Sequence, residues 1–193
     1  MLISITGRLG SGKSTVCGIM KERYGFEIFS TGAIQREFAR SKGISTLELN
    51  KRMKENPELD DEIDNTVTRM SREHKGENLI FDSRMAWYFA EDTFKIFLTI
   101  DPMEAATRVF YHRSSAEENY TDVNDACDKL VERSAVERKR FIEIYGVDYY
   151  DFNNYNLVVD TTSKTPDEVV SVIMEYYKLY SENPETYGGV KEL

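Results

Sequence analysis

The chain has 193 residues, with 25 lysines and arginines against 34 aspartates and glutamates, and a formal net charge of −9. That length suffices for one well-buried core and is short for two full domains. The acidity speaks against a nucleic-acid polymer as ligand, which demands a broad basic surface, whereas a small anion needs only a local basic pocket.

In chain order, the apolar stretch Leu2-Ile3-Ser4-Ile5-Thr6 predicts a buried strand that empties directly into Gly7-Arg8-Leu9-Gly10-Ser11-Gly12-Lys13-Ser14. This is the pattern G-x-x-x-x-G-K-[ST], in which glycines let backbone N–H groups turn inward and approach phosphate oxygens. Lys13 is placed to reach the β and γ phosphates and Ser14 to offer its hydroxyl to Mg²⁺. Thr15, Val16, Ile19 and Met20 follow with helical apolar spacing, so the positive end of a helix dipole faces the same anion.

Further short β-branched or aromatic runs recur at 26–29, 78–82, 95–100 and 156–160, giving five expected strands. Helical spacing between them implies an α/β fold, a parallel sheet covered on both faces, with ligands at the carboxyl ends of the strands. Two charged insertions interrupt the alternation, one from about residue 31 to 75 with breaks at Gly43-Ile44-Ser45 and Asn56-Pro57, the other from about 107 to 145. Both are expected on the ligand side, where closing flaps belong. A last helix over 167–180 ends the domain, and the polar tail 181–193 is expected to fray. No charged leader precedes an apolar core and no run approaches ~18 apolar residues, so neither a signal peptide nor a membrane span is expected, and the cytoplasm is the expected setting. Cys17 and Cys127 lack metal or disulfide spacing.

Arginine placement narrows the chemistry. Phosphoryl transfer between two phosphate-bearing molecules crowds negative charge, which mobile arginines neutralise while the acceptor oxygen, already ionised, needs positioning more than a general base. Four places qualify. Ser30-Thr31-Gly32 with Arg36 follows the second strand; Asp82-Ser83-Arg84 ends the third; Arg133, Glu137 and Arg140 fall at i, i+4 and i+7 on one helix face; Arg108 and Arg113 flank the second insertion.

With these motifs the chain resembles the cytidylate kinases of the short, archaeal-type branch of the nucleoside monophosphate kinases, over about residues 1–178. The resemblance implies a P-loop NTPase fold with a monophosphate-binding insertion and a lid, and Mg²⁺-dependent transfer from ATP to CMP or dCMP. It implies an ATP site at Gly7, Gly10, Ser11, Gly12, Lys13, Ser14 and Thr15, an acceptor site at Thr31, Arg36, Arg84, Arg133, Glu137 and Arg140, and catalytic roles for Lys13, Arg133 and Arg140. Tyr145-Gly146-Val147-Asp148 and 156–161 match the same branch. Arg8-Leu9 replaces the family's usual two prolines, changing the loop's rim, and Met85 stands where some relatives carry an acid near the base. Adenylate, shikimate or dephospho-coenzyme A as acceptor, or a nucleotide-dependent switch without transfer, are the alternatives, and monomer or dimer is left open.

Plainer readings stand beside these. Arg36 suits a solvated helix face, Arg84 an ion pair with Asp82, and the Arg133–Glu137–Arg140 face an ordinary salt-bridge ladder. Asp82 is the preferred acid for orienting metal-bound water; Asp101, before Pro102, suits a helix N-cap. Trp87, Tyr88 and Phe89 read as core, Asp160-Thr161-Thr162 as either a donor-base border or a turn, and His74 and His112 as surface residues.

Overall fold

The computed structural model describes residues 1–32, 39, 42–44, 48–49, 58–112 and 120–193. The first strand, β1 (Leu2–Gly7), is buried along its whole length and lies at the centre of the sheet. Its polar positions are satisfied internally: Ser4 accepts from the Thr93 hydroxyl at 3.1 Å, and Thr6 donates to the Ser83 carbonyl at 3.0 Å. Helix α1 (Lys13–Tyr24) follows the phosphate loop and closes with Gly25 in the left-handed region. Strand β2 (Glu27–Ser30) leads to helix α2 (Glu58–Glu73), and β3 (Leu79–Asp82) to the single turn α3 (Ala86–Phe89). Strand β4 (Phe94–Thr99), helices α4 (Pro102–His112) and α5 (Val123–Tyr145), β5 (Leu157–Asp160) and α6 (Pro166–Glu182) complete the alternation.

Among the described residues all pairings are parallel, in the order β2-β3-β1-β4-β5 with one further strand beside β5. The expected count of five becomes six, because residues past α6 form a turn of helix, α7 (Pro184–Tyr187), and a two-residue strand β6 (Lys191–Glu192) beside β5. Nothing in the tail's side chains announces this, since β6 is exposed. Its bonds are backbone ones: Lys191 N–H to Asn156 O at 3.1 Å, Leu193 N–H to Val158 O at 2.9 Å, and Asp160 N–H to Leu193 O at 2.9 Å.

One face of the sheet packs against α1 and α6, with Val16, Cys17 and Met20 meeting Ile3, Ile5, Val169, Val170 and Ile173. The other carries an aromatic layer of Trp87, Phe97, Phe141, Tyr149 and Tyr155, which joins α3 and α5 to the sheet. Trp87 is thus core as expected, whereas Tyr88 is 48% exposed. The carboxyl-terminal half of α2 is fastened to the segment after β3: Thr68 donates to Phe89 O at 3.0 Å, and Ser71 accepts from Glu91 N–H at 3.0 Å. Helix α5 begins at an Asp122 cap that accepts from Asn124 and Asp125 N–H and ends at a left-handed Gly146. At 23 residues, about 1.5 Å per residue, it is the longest helix among the described residues.

Candidate active site

The phosphate loop joins the carboxyl end of β1 to the start of α1, whose first-turn amides lack intrahelical partners and suit an anion. Gly10 has φ +79, and a Cβ there would lie 2.9 Å from the Ala105 carbonyl; Gly12 has φ +85 and serves as the α1 N-cap. Neither position accommodates another residue without strain. The Ser11 hydroxyl is buried and makes no hydrogen bond, a buried polar atom of the kind that a phosphate oxygen satisfies. Ser14 and Thr15 are exposed in the first turn of α1.

Lys13 donates from Nζ to the Gly7 carbonyl at 3.4 Å. Burial, and then the positive charge of Arg84, lower its pKa from the ordinary lysine value to about 7, against the opposing pull of Asp82 and Glu137. The same interactions place Lys13 in one electrostatic neighbourhood with the end of β3 and the middle of α5. At the end of β2, Ser30 donates to Asp82 Oδ2 at 2.9 Å, and Thr31 beside it is buried.

Arg84, just after β3, donates from Nε to Glu137 Oε2 at 3.0 Å, and Arg133 donates from Nε to Glu137 Oε1 at 3.1 Å. Glu137 is 6% exposed. Burial by itself would raise its pKa, but Arg84 and Arg133 outweigh burial and hold it down at about 2. For Arg84 the balance is the mirror image: burial disfavours its charge, and Glu137 more than restores it, so its pKa is raised. The partner of Arg84 is therefore Glu137, 53 residues away in sequence, rather than the neighbouring Asp82. No local pattern signals that pairing. Arg140 is 2% exposed, with its guanidinium 4.6 Å from the Phe141 ring centre. The i, i+4, i+7 spacing thus yields a face on which Glu137 and Arg140 are buried and Arg133 is half-buried, rather than a solvated ladder.

Arg108, with Arg113 one of the two lid candidates, bonds to the turn after β5. Its Nη2 donates to the carbonyls of Thr161 and Thr162 at 2.8 and 3.0 Å, and its Nε to Glu104 at 2.9 Å, so it ties α4 to the turn after β5. That turn is itself closed by Asp160, which accepts from Thr162 N–H and hydroxyl. Asp101 caps α4 through the N–H groups of Met103 and Glu104. Arg36 and Arg113 lie outside the described residues. Two contacts had no sequence signal: Arg8, in the loop's rim, donates to Ile100 O at 3.3 Å with its guanidinium 5.7 Å from the Tyr150 ring centre, and the Tyr145 hydroxyl donates to Asp64, joining α5 to α2.

For magnesium, the candidate donors are the Ser14 hydroxyl and the Asp82 carboxylate, hard oxygens of the kind that the ion takes together with water and phosphate oxygens. Among the described residues no three acidic, histidine or cysteine side chains gather into a metal cluster. A carboxylate, a hydroxyl and an anion-binding loop therefore fit a metal that arrives with its nucleotide.

The chain aligns with a cytidylate kinase of Sulfurisphaera tokodaii at 33% identity over 176 residues, covering 91% of this chain and 94% of the relative. It aligns at 34% over 177 residues with an S-adenosylmethionine-dependent nucleotide dehydratase of Lacinutrix mariniflava, covering 91% of this chain but 36% of that longer protein. Among solved structures, shikimate kinase from Bacteroides thetaiotaomicron superimposes with a TM-score of 0.61 at 12% identity, covering 92% of this chain and 98% of the other, a likeness of fold. The sequence profile of the cytidylate kinase-like family matches residues 2–163. With its phosphate loop, its parallel sheet and this match over most of its length, the chain belongs to the cytidylate kinase-like family.

Proposed function

We propose that the protein is a cytoplasmic, Mg²⁺-dependent nucleoside monophosphate kinase that moves the γ-phosphoryl group of ATP to CMP or dCMP. An oxygen of the acceptor phosphate attacks the γ phosphorus, the bond from that phosphorus to the β–γ bridging oxygen breaks, and ADP leaves with the electron pair. The observation that carries the reading is the meeting of a phosphate loop with a half-buried arginine pair: the buried Glu137 accepts from both Arg84 and Arg133, and the charge of Arg84 acts on Lys13 in the loop.

In this reading Gly7, Gly10, Ser11, Gly12, Lys13, Ser14 and Thr15 hold the donor. Ser14 would hold magnesium, with Asp82 orienting its bound water, and the ion would supply charge neutralisation of the triphosphate. Thr31, Arg36, Arg84, Arg133, Glu137 and Arg140 form the acceptor side, and Lys13, Arg133 and Arg140 neutralise the charge of the in-line arrangement. The segments around 31–75 and 107–145 serve as monophosphate-binding and lid regions. A coupled assay of ADP release over CMP, dCMP, UMP, AMP, shikimate and dephospho-coenzyme A tests it. CMP and dCMP are expected to give the highest kcat/KM. Another acceptor leading by tenfold would replace the substrate assignment, and ATP hydrolysis indifferent to every acceptor would replace the kinase with a switch.

A further inference from the structure

We infer that Glu137 acts on the acceptor side as a positioning residue, a clamp for Arg84 and Arg133, and does not read the acceptor's base. The inference rests on the kinase reading above and sharpens it at one residue.

Both carboxylate oxygens are already committed, Oε2 to Arg84 at 3.0 Å and Oε1 to Arg133 at 3.1 Å, and the side chain is 7% exposed. A group buried this way offers little to an incoming base. Its charge points the same way, since a carboxylate beside an acceptor phosphate repels it unless neutralised. Two guanidinium groups do neutralise it, and the trio keeps a net charge of +1. Each arginine is held to the carboxylate through Nε, and the edge formed by a guanidinium's two Nη nitrogens is one that can meet phosphate bidentately. With Glu137 between them, Arg84 and Arg133 stay charged and ordered before substrate arrives, so ordering them costs nothing at binding.

The test begins with the native protein. Arginine Nε–H resonances of Arg84 and Arg133 should be slow to exchange with solvent and should remain so when CMP saturates the site; their loss on CMP binding would mean that Glu137 lets go to meet the base, and would overturn the inference. In Glu137→Gln, kcat/KM should fall about 100-fold, the scale of a small misplacement of reacting groups, and by the same factor for CMP and UMP. A tenfold or larger change in the CMP to UMP ratio, or an unchanged kcat, would overturn it. Glu137→Asp, shorter by one methylene, restores charge but cannot span both arginines and should recover only part of the loss. Titration with inorganic pyrophosphate keeps this separate from the substrate assignment: Glu137→Gln should bind it at least tenfold more weakly than the native chain even if no monophosphate proves to be an acceptor, and equal binding would overturn the inference. Should the variants fail to fold by circular dichroism, the exchange measurement on the native protein decides alone.

Discussion

Lys13 shows how a single residue records the cost of building a site for highly charged ligands. Its Nζ donates to the Gly7 carbonyl, and burial together with the charge of Arg84 lowers its pKa to about 7. A triphosphate restores the proton that the empty site repels. Near pH 8 the empty enzyme therefore carries a largely neutral Lys13, the nucleotide complex a protonated one, and binding should take up about one proton. Calorimetry of ATP binding in buffers of different ionisation enthalpy measures this directly, with apparent affinity weakening as pH rises above 7; no uptake at pH 8 would contradict it. Lys13→Ala should lower kcat by about 100-fold or more, in keeping with removal of one charge contact to the transferring group, and near-normal turnover would exclude that role. The identity of Lys13 was legible at once because the loop is contiguous. The Glu137 pairing with Arg84 was not, because it joins residues from different elements that only the folded sheet brings together.

At the scale of elements, strands β1 to β5 were readable from runs of β-branched and aromatic side chains, each within a residue or two of its observed limits. The sixth was not, and the reason is physical: β6 is held by main-chain hydrogen bonds and buries no side chain, so it leaves no periodic trace. Its placement gives it a consequence. The Asp160 N–H bonds to Leu193, and Asp160 opens the turn whose carbonyls hold Arg108. Deleting 189–193 removes three such bonds, each worth about 1 kcal/mol or less. The truncated protein should melt several degrees lower and lose more affinity for ATP than for the acceptor, since the turn after β5 lies on the α4 side of the phosphate loop. An unchanged melting temperature and an unchanged KM for ATP would show that the strand adds nothing to that turn.

Over the whole molecule, the fold class followed from alternation of strand and helix, while the buried charge at its centre did not, because solvated and buried arginine ladders look alike in sequence. Within that charge the two signs act oppositely on the stability of the protein, Lys13 lowering it and Glu137 raising it. For Lys13 the folded pKa, about 7, lies below the ordinary 10.5. The unfolded chain then binds more protons between those values, so stability rises with pH across that window, and below about pH 7 the full cost is present. For Glu137 the folded pKa, about 2, lies below the ordinary 4.5, so its contribution is complete above 4.5 and is lost as pH falls towards 2. Lys13→Met keeps an unbranched apolar stem and deletes the unfavourable charge. The variant should unfold at a higher urea concentration than the native protein at pH 7 with both empty, should lose this advantage by about pH 10.5, and should gain far less than the native chain from added ATP. Measuring urea midpoints at pH 7 and pH 10 with and without nucleotide separates these effects. If the variant is no more stable when empty at pH 7, the lysine's charge is accommodated by the loop rather than held there against its own solvation.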